Sequence, residues 1–151
     1  QTTLTYPYSG WIATSPLEVI AVNRGIGLHT LALLDLDPTG AGTGVQRPMQ
    51  PKDAVESLKA MAEKLVETVE DLPVDSPFER LKVECVGQIC SDISALKVVL
   101  CSDMGTSEQS IVTTTVGSLA DLQGGRLNCL VFPANTSDVE EKALLRWLKE
   151  E

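Results

Sequence analysis

The sequence predicts an α/β fold in which a mixed β-sheet is flanked by helices on both faces. Apolar segments of strand length alternate with amphipathic segments of helix length, which is the pattern of a layered α/β domain. The segment from Leu28 to Leu36 is almost unbrokenly apolar, which is typical of a strand covered on both faces. The chain has 151 residues, enough for one domain with its own core.

Two elements precede this strand. The alternation of Thr, Leu and Tyr from Thr2 to Tyr6 predicts an edge strand. A helix is predicted from Ser15 to about Arg24, because Ser15 can cap it, Pro16 suits the first helical position and Glu18 completes a capping box. The chain therefore begins with strand, helix and strand.

A glycine-rich segment, Pro38 to Gly44, follows the buried strand. Its glycines are spaced G-x-G-x-G and no helical pattern starts behind them, whereas a dinucleotide fingerprint needs G-x-G-x-x-G at the start of a helix. We therefore favour a flexible linker over a phosphate-binding loop. Asp35 and Asp37, at the carboxyl end of the strand, have two equally supported interpretations: ligand or cation binding, or capping of the turn before Pro38.

The middle of the chain contains the clearest helix, from Pro51 to Val69. Asp71 to Phe78 contains two prolines and predicts a loop, and the periodicity of Leu81 to Cys90 does not distinguish strand from helix. The apolar face of the clear helix consists of Val55, Leu58, Ala62, Leu65 and Val69.

The last third predicts three further strands and a final helix. The strands are Ala95 to Cys101, Ser110 to Val116 and Leu127 to Phe132. Asp138 is the expected cap of the helix, and Trp147 is expected in the core. The apolar face of this helix would be Val139, Ala143, Leu144, Trp147 and Leu148.

Composition restricts the function classes. With 12 basic and 21 acidic residues the net charge is -9, which opposes binding to nucleic-acid phosphates. No apolar run is long enough to span a membrane, and no secretory signal is visible. The four cysteines, Cys85, Cys90, Cys101 and Cys129, lack zinc-ligand spacing, so we expect no metal site and reduced thiols in a cytoplasmic protein.

Two single residues have both a functional and a structural interpretation. His29 is the only histidine, and with no partner nearby in sequence we favour a hydrogen-bonded structural role over general-base catalysis. Met104, in the loop after a predicted strand, is either a gap-filling core residue or part of a ligand site.

The strand and the helix before it resemble the diphthine synthases, members of the tetrapyrrole methylase-like methyltransferases. The resemblance rests on Pro16 followed by a helix, on Asn23-Arg24, and on the run Gly-Leu-His-Thr-Leu-Ala-Leu-Leu-Asp from Gly27 to Asp35. Later segments are similar but depart at individual positions. Ser102-Asp103 replaces the expected Ala-Arg, and Asn128 stands where the family has His.

The resemblance implies that residues 1–151 form the C-terminal methyltransferase domain, with an insertion at 72–95 and the N-terminal domain absent from this chain. It implies S-adenosylmethionine as cofactor, bound between the two domains, with Leu34, Met104 and Asn128 as cofactor-lining positions. No catalytic side chain is assigned. The protein substrate would be elongation factor 2, methylated at a modified histidine, and the enzyme would be a cytoplasmic homodimer.

Two alternatives remain at this point. One is a methylase of the same superfamily that acts on a tetrapyrrole or another small molecule. The other is a non-catalytic interaction domain that keeps the fold, which the departures at Ser102, Asp103 and Asn128 leave open.

Overall fold

A computed structural model describes residues 1–148 as one five-stranded sheet with helices packed on it. The strands are β1 (Thr2–Leu4), β2 (Thr30–Leu34), β3 (Lys97–Ser102), β4 (Ser110–Thr115) and β5 (Asn128–Phe132). The helices are α1 (Ser15–Gly25), α2 (Pro51–Thr68), α3 (Pro77–Ser91), α4 (Val116–Leu119) and α5 (Asp138–Arg146). Single 3-10 turns lie at Tyr8–Gly10, Val69–Asp71 and Ile93–Ala95.

The sheet is mixed, as predicted, with strand order β1-β2-β5-β3-β4. β1 runs parallel to β2, and the other neighbouring pairs are antiparallel. This arrangement places the carboxyl ends of β2 and β3 at the same end of the sheet as the start of β5. We refer to this as the site end, because the predicted site residues lie there.

One face of the sheet carries the hydrophobic core. α1 and α2 cover this face, and α3 packs against both of them. Alternate strand residues point into the core because the side chains of a strand alternate between its faces. The buried side chains include Leu4, Leu17, Ile20, Ala32, Leu58, Leu65, Val86, Leu100, Leu130 and Phe132.

The second face is much less covered, so the expectation that β2 is buried on both faces is wrong. β2 spans only Thr30–Leu34 and its burial alternates, with Leu31 and Leu33 exposed at 38% and 39%. Their neighbours on this face are Val131 and Cys129 of β5. An apolar run in the sequence identifies a strand, but it does not show whether other elements cover one face of that strand or both.

α5 lies at the end of the sheet opposite the site end. Glu140 contacts His29 and Glu141 approaches Lys97, while Leu148 bridges to Thr113 at the sheet edge. The helix buries none of its side chains. Trp147 is 41% exposed, so its predicted place in the core is wrong.

The segment with undecided periodicity is the helix α3, which occupies most of the insertion predicted at 72–95. Its start was predicted as a loop, yet Ser76 and Glu79 form a reciprocal capping box around Pro77. Cys85 packs so closely on Gly25 of α1 that a Cβ at residue 25 would overlap its sulfur. α3 is therefore an integral part of the core.

Other helix starts differ by one residue from prediction. Thr14, not Ser15, is the N-cap of α1, and its hydroxyl donates to the carboxylate of Glu18. Ser137, not Asp138, caps α5 and exchanges hydrogen bonds with Glu140. Within residues 1–148 no helix is both long and apolar enough to cross a membrane.

Candidate functional site

The sheet topology brings the three predicted cofactor-lining positions to the site end. Leu34 ends β2 and Asn128 begins β5, while Met104 follows β3 by two residues. The register pairs Ser102 with Asn128 and Leu33 with Cys129. Segments far apart in sequence therefore meet at one edge of the sheet.

An open groove of about 1130 Å³ lies at this edge. Its walls are the loop after β3, the segment Gln123–Leu127 before β5, and the ends of those two strands. The side chain of Met104 is 49% exposed and lines the groove. The second wall contains the Gly124–Gly125 pair, which is the local sequence signal for this segment.

Leu34 does not line this groove. Its side chain is only 7% exposed and belongs to the core, where it lies beside Leu4. Any contact between Leu34 and a ligand at the site end would therefore have to be made by its backbone.

The side chain of Asn128 connects the two walls of the groove through hydrogen bonds. Its Oδ1 accepts hydrogen bonds from the Ser102 hydroxyl and the Gly125 backbone N–H, both at 2.8 Å. Its Nδ2 donates to the carbonyls of Gly125 and Met49, at 3.2 and 3.4 Å. These contacts use both amide hydrogens and both lone pairs of the carbonyl oxygen. The side chain of Asn128 thus braces the segments that form the two walls of the groove.

Asp103 reinforces the same junction. Its backbone N–H donates to the carbonyl of Leu127 at 2.8 Å, and its Oδ1 accepts from the N–H of Leu127 at 2.9 Å. Its own φ of 49° is in the left-handed region, which Asp tolerates better than most residues. A Cβ at Gly125 would overlap the Asp103 carboxylate, so the close approach requires glycine. Ser102, Asp103 and Asn128 therefore act together in joining the end of β3 to the segment before β5.

We expect Asn128→Ala to lower the free energy of unfolding by about 1.5 kcal/mol, because Ser102 and Gly125 lose a shared partner. Ser102→Ala removes only the 2.8 Å hydroxyl contact and should cost about 1 kcal/mol or less. Urea unfolding of both variants measures the two losses. Equal stability of Asn128→Ala and the unsubstituted protein would contradict the bracing role.

The carboxylate of Asp35 caps the turn after β2. It accepts from the backbone N–H of Tyr6 at 3.0 Å, the hydroxyl of Tyr8 at 2.6 Å and the N–H of Asp37 at 2.8 Å. Burial pushes the pKa of Asp35 up, but the three hydrogen bonds outweigh it and leave the pKa lowered. The bond to Asp35 raises the pKa of Tyr8 to about 12. The structure therefore favours turn capping over ligand binding.

Asp37 fills the centre of the glycine-rich loop. It is fully buried, and its carboxylate accepts from the N–H of Gly42 at 3.0 Å and the hydroxyl of Thr43 at 2.8 Å. A Cβ at Gly42 would overlap the ring of Tyr6, so the loop packs closely on the domain. The loop is ordered by these contacts rather than a flexible linker, and its central carboxylate would repel a phosphate.

His29 has a structural role, as the sequence favoured. Its Nδ1 accepts from the backbone N–H of Ala134 at 2.9 Å, so Nε2 carries the proton and donates to Glu140 at 3.0 Å. The pKa of Glu140 is lowered, first by the backbone N–H of Ser137 and then by His29. These contacts lie at the α5 end of the sheet, opposite the groove.

A second, smaller pocket of about 240 Å³ lies between α2 and the segments on either side of the Tyr8–Gly10 turn. Trp11, Ile12 and Met61 line it, and the Lys64 ammonium sits 4.1 Å from the centroid of the Trp11 ring. The sequence did not predict this pocket, because its walls come from segments about 50 residues apart.

Known proteins similar to this chain carry related names. A probable diphthine methyl ester synthase of Arabidopsis thaliana is 32% identical over 140 residues, which cover 89% of this chain and 45% of the relative. A diphthine synthase of Methanococcus aeolicus is 26% identical over 144 residues, which cover 95% of this chain and 46% of the relative. No protein-family model matches the chain. The chain spans about half the length of these curated relatives.

Solved structures show the same fold. A protein of Entamoeba histolytica that is provisionally named a diphthine synthase superposes with a TM-score of 0.70 at 22% identity, covering all of this chain and 51% of its own. A conserved hypothetical protein of Aeropyrum pernix superposes with a TM-score of 0.69 at 24% identity, and the match covers 96% of this chain and 43% of that protein. The mixed α/β architecture is therefore confirmed by independent structures.

Proposed function

Because the chain is a diphthine synthase C-terminal-like domain in sequence and fold, we propose that it is part of an S-adenosylmethionine-dependent methyltransferase of diphthamide biosynthesis. Its substrate is the modified histidine of elongation factor 2. The observation that carries the proposal is the similarity to the Arabidopsis thaliana relative over 140 residues, which extends through both strands and loops of the groove.

The groove suits a nucleoside-containing methyl donor in size and lining. Ligand pockets of small molecules typically enclose about 300–1,000 Å³, and the groove offers about 1130 Å³ on an open edge. Met104 and Leu127 supply apolar surface, and the charged side chains that line the groove are the acidic Asp103 and Glu108 and the basic Arg126. A positively charged sulfonium is compatible with such a lining.

The donor, when bound, supplies an electrophilic methyl group on sulfur, and transfer requires an in-line nucleophile in a shaped site. The chain's own contribution is positioning. Met104 forms an apolar wall, and Asn128 fixes the loops that bear that wall by its contacts with Ser102 and Gly125. Leu34 would contribute only through backbone atoms, since its side chain is buried.

The chain corresponds to about half of its relatives, so a second half of the site is part of the proposal. We propose that the complete enzyme binds the donor between this domain and an N-terminal domain, forms a homodimer and works in the cytoplasm. The net charge of -9 fits a protein substrate better than a nucleic acid. The assignment of 72–95 as an insertion also remains a proposal.

A non-catalytic interaction domain is the second candidate. It is favoured by the full use of the Asn128 amide in bracing contacts, which leaves that side chain no free hydrogen-bonding group for a cofactor. A small-molecule methylase would differ from the proposed enzyme only in the molecule that accepts the methyl group. The second experiment below distinguishes these two possibilities.

The first experiment is a calorimetric titration of the complete protein with S-adenosylhomocysteine. We expect saturable binding, weakened about tenfold or more by Met104→Arg, because the longer charged side chain fills the groove. Val66→Arg is the matched control, since Val66 is 60% exposed on α2, away from the groove. Absence of binding by a folded, complete protein would refute methyl transfer and favour the interaction domain.

The second experiment is a methylation assay on elongation factor 2 that carries the unmethylated histidine precursor, resolved by gel. Incorporation of labelled methyl groups supports the proposed substrate. Cofactor binding without incorporation would instead support a small-molecule acceptor.

A further inference from the structure

Two of the four cysteines lie opposite each other on neighbouring strands of the sheet. Cys101 of β3 and Cys129 of β5 are direct partners in the antiparallel register. Both side chains are only partly buried. Both also line the groove, next to Ser102 and Asn128 respectively.

Direct cross-strand partners meet the distance requirement for a disulfide. Opposed residues in antiparallel strands have Cα atoms about 4.5–5.5 Å apart, and disulfides span Cα distances of about 4.4–6.8 Å. Opposed side chains also lie on the same face of the sheet. Cys101 and Cys129 therefore need no backbone movement larger than local adjustment to become linked.

The other two cysteines do not form such a pair. Cys85 and Cys90 are five residues apart on α3, which places their Cα atoms about 7.5 Å apart along the helix axis alone. That exceeds the limit of about 7 Å for a disulfide without backbone movement. Cys85 is also buried against Gly25 of α1. Cys101 and Cys129 are thus a pair that can form a disulfide, and Cys85 and Cys90 serve as internal controls.

We propose that Cys101 and Cys129 are a reversible oxidation site that forms a cross-strand disulfide on the wall of the groove. The oxidant is a peroxide. One thiolate attacks the peroxide, the O–O bond breaks, and a sulfenic acid and one water result once the released hydroxide takes a proton. The second thiol then displaces the sulfenic hydroxyl as water, so two electrons pass from the dithiol to one peroxide.

The surroundings of the pair slow the first step of this oxidation at neutral pH. Burial, together with the neighbouring thiol, raises the pKa of Cys101 to about 11, and burial also raises that of Cys129. Because the thiolate is the attacking species, the rate of disulfide formation should rise as the pH approaches the thiol pKa. Once formed, the bond would link the end of β3 to the start of β5, the two strands whose ends line the groove.

Stoichiometric hydrogen peroxide on the purified protein tests the site. We expect a mass loss of two hydrogen atoms, protection of two of the four thiols from alkylation, and full reversal by dithiothreitol. Digestion without reductant should yield one peptide pair joined through Cys101 and Cys129. This readout does not depend on methyltransferase activity, so it stands or falls separately from the proposed function.

Variants provide the controls. Cys101→Ser and Cys129→Ser should each abolish the mass loss, whereas Cys90→Ser should leave it unchanged. If the unsubstituted protein gives sulfinic acids, a bridge through Cys85 or Cys90, or no oxidation under these conditions, the proposal is overturned.

Discussion

Leu34→Arg is expected to unfold the domain rather than empty a binding site. Leu34 is 7% exposed among the core side chains that α1 and α2 cover, so the substitution removes a buried leucine and buries an unpaired charge. Loss of a buried leucine alone costs about 2–5 kcal/mol, and an unpaired buried charge adds to it. The total is comparable with the whole stability of a small domain, about 5–15 kcal/mol. A urea titration of Leu34→Arg should therefore show no cooperative unfolding transition.

The adjacent residue provides a matched control. Leu33 lies on the opposite face of β2 and is 39% exposed, so the charge of Leu33→Arg can remain in water. That variant should lose less than about 1 kcal/mol. A folded Leu34→Arg protein that binds no S-adenosylhomocysteine would contradict the buried position and restore the side chain as a wall of the cofactor site.

The contrast between Leu33 and Leu34 also shows what sequence periodicity can resolve. The helix α2 was predictable because Val55, Leu58 and Leu65 recur at helical spacing and all three are buried. The unbroken apolar run of β2 identified a strand, but it carried no information about whether a second layer covers the other face. That depends on how α5 packs, and α5 buries none of its side chains.

The resemblance to a family indicated the location of the candidate site but not its contacts. Of the three predicted positions, Met104 and Asn128 line the groove, whereas the side chain of Leu34 is buried in the core. The hydrogen bonds from Ser102 to Asn128 and from Tyr8 to Asp35 join residues 26 and 27 positions apart. Pairings at such separations leave no local pattern, so three apparent departures from the family looked independent although the fold couples them.

Asp35→Ala is expected to lower the free energy of unfolding by about 2 to 3 kcal/mol. The carboxylate accepts three hydrogen bonds, from Tyr6, Tyr8 and Asp37, that hold β1 and the glycine-rich loop to the end of β2. Hydrogen bonds to charged groups contribute about 1.5–3 kcal/mol each, but partial exposure lets water replace some of that here. Thermal or urea unfolding near neutral pH measures the loss.

The same residue predicts a pH dependence with a definite sign. The folded-state pKa of Asp35 is lowered, so its contribution is complete above the unfolded-state value of about 3.9 and is lost as the pH falls through the folded value. Asp35→Asn should therefore flatten the acid limb of the stability curve below about pH 4. Tyr8→Phe removes the shortest of the three bonds and should raise the pKa of the Asp35 carboxyl, measurable by NMR titration.

The exposed Asp75 supplies the control, since Asp75→Asn removes a carboxylate of the same type outside this network. It should leave both the free energy of unfolding and the acid limb almost unchanged. If Asp35→Asn and Asp75→Asn gave the same pH profile, the carboxylate would not be capping the turn. Asp35 would then again be available for the ligand-binding role that its position at the end of β2 suggested.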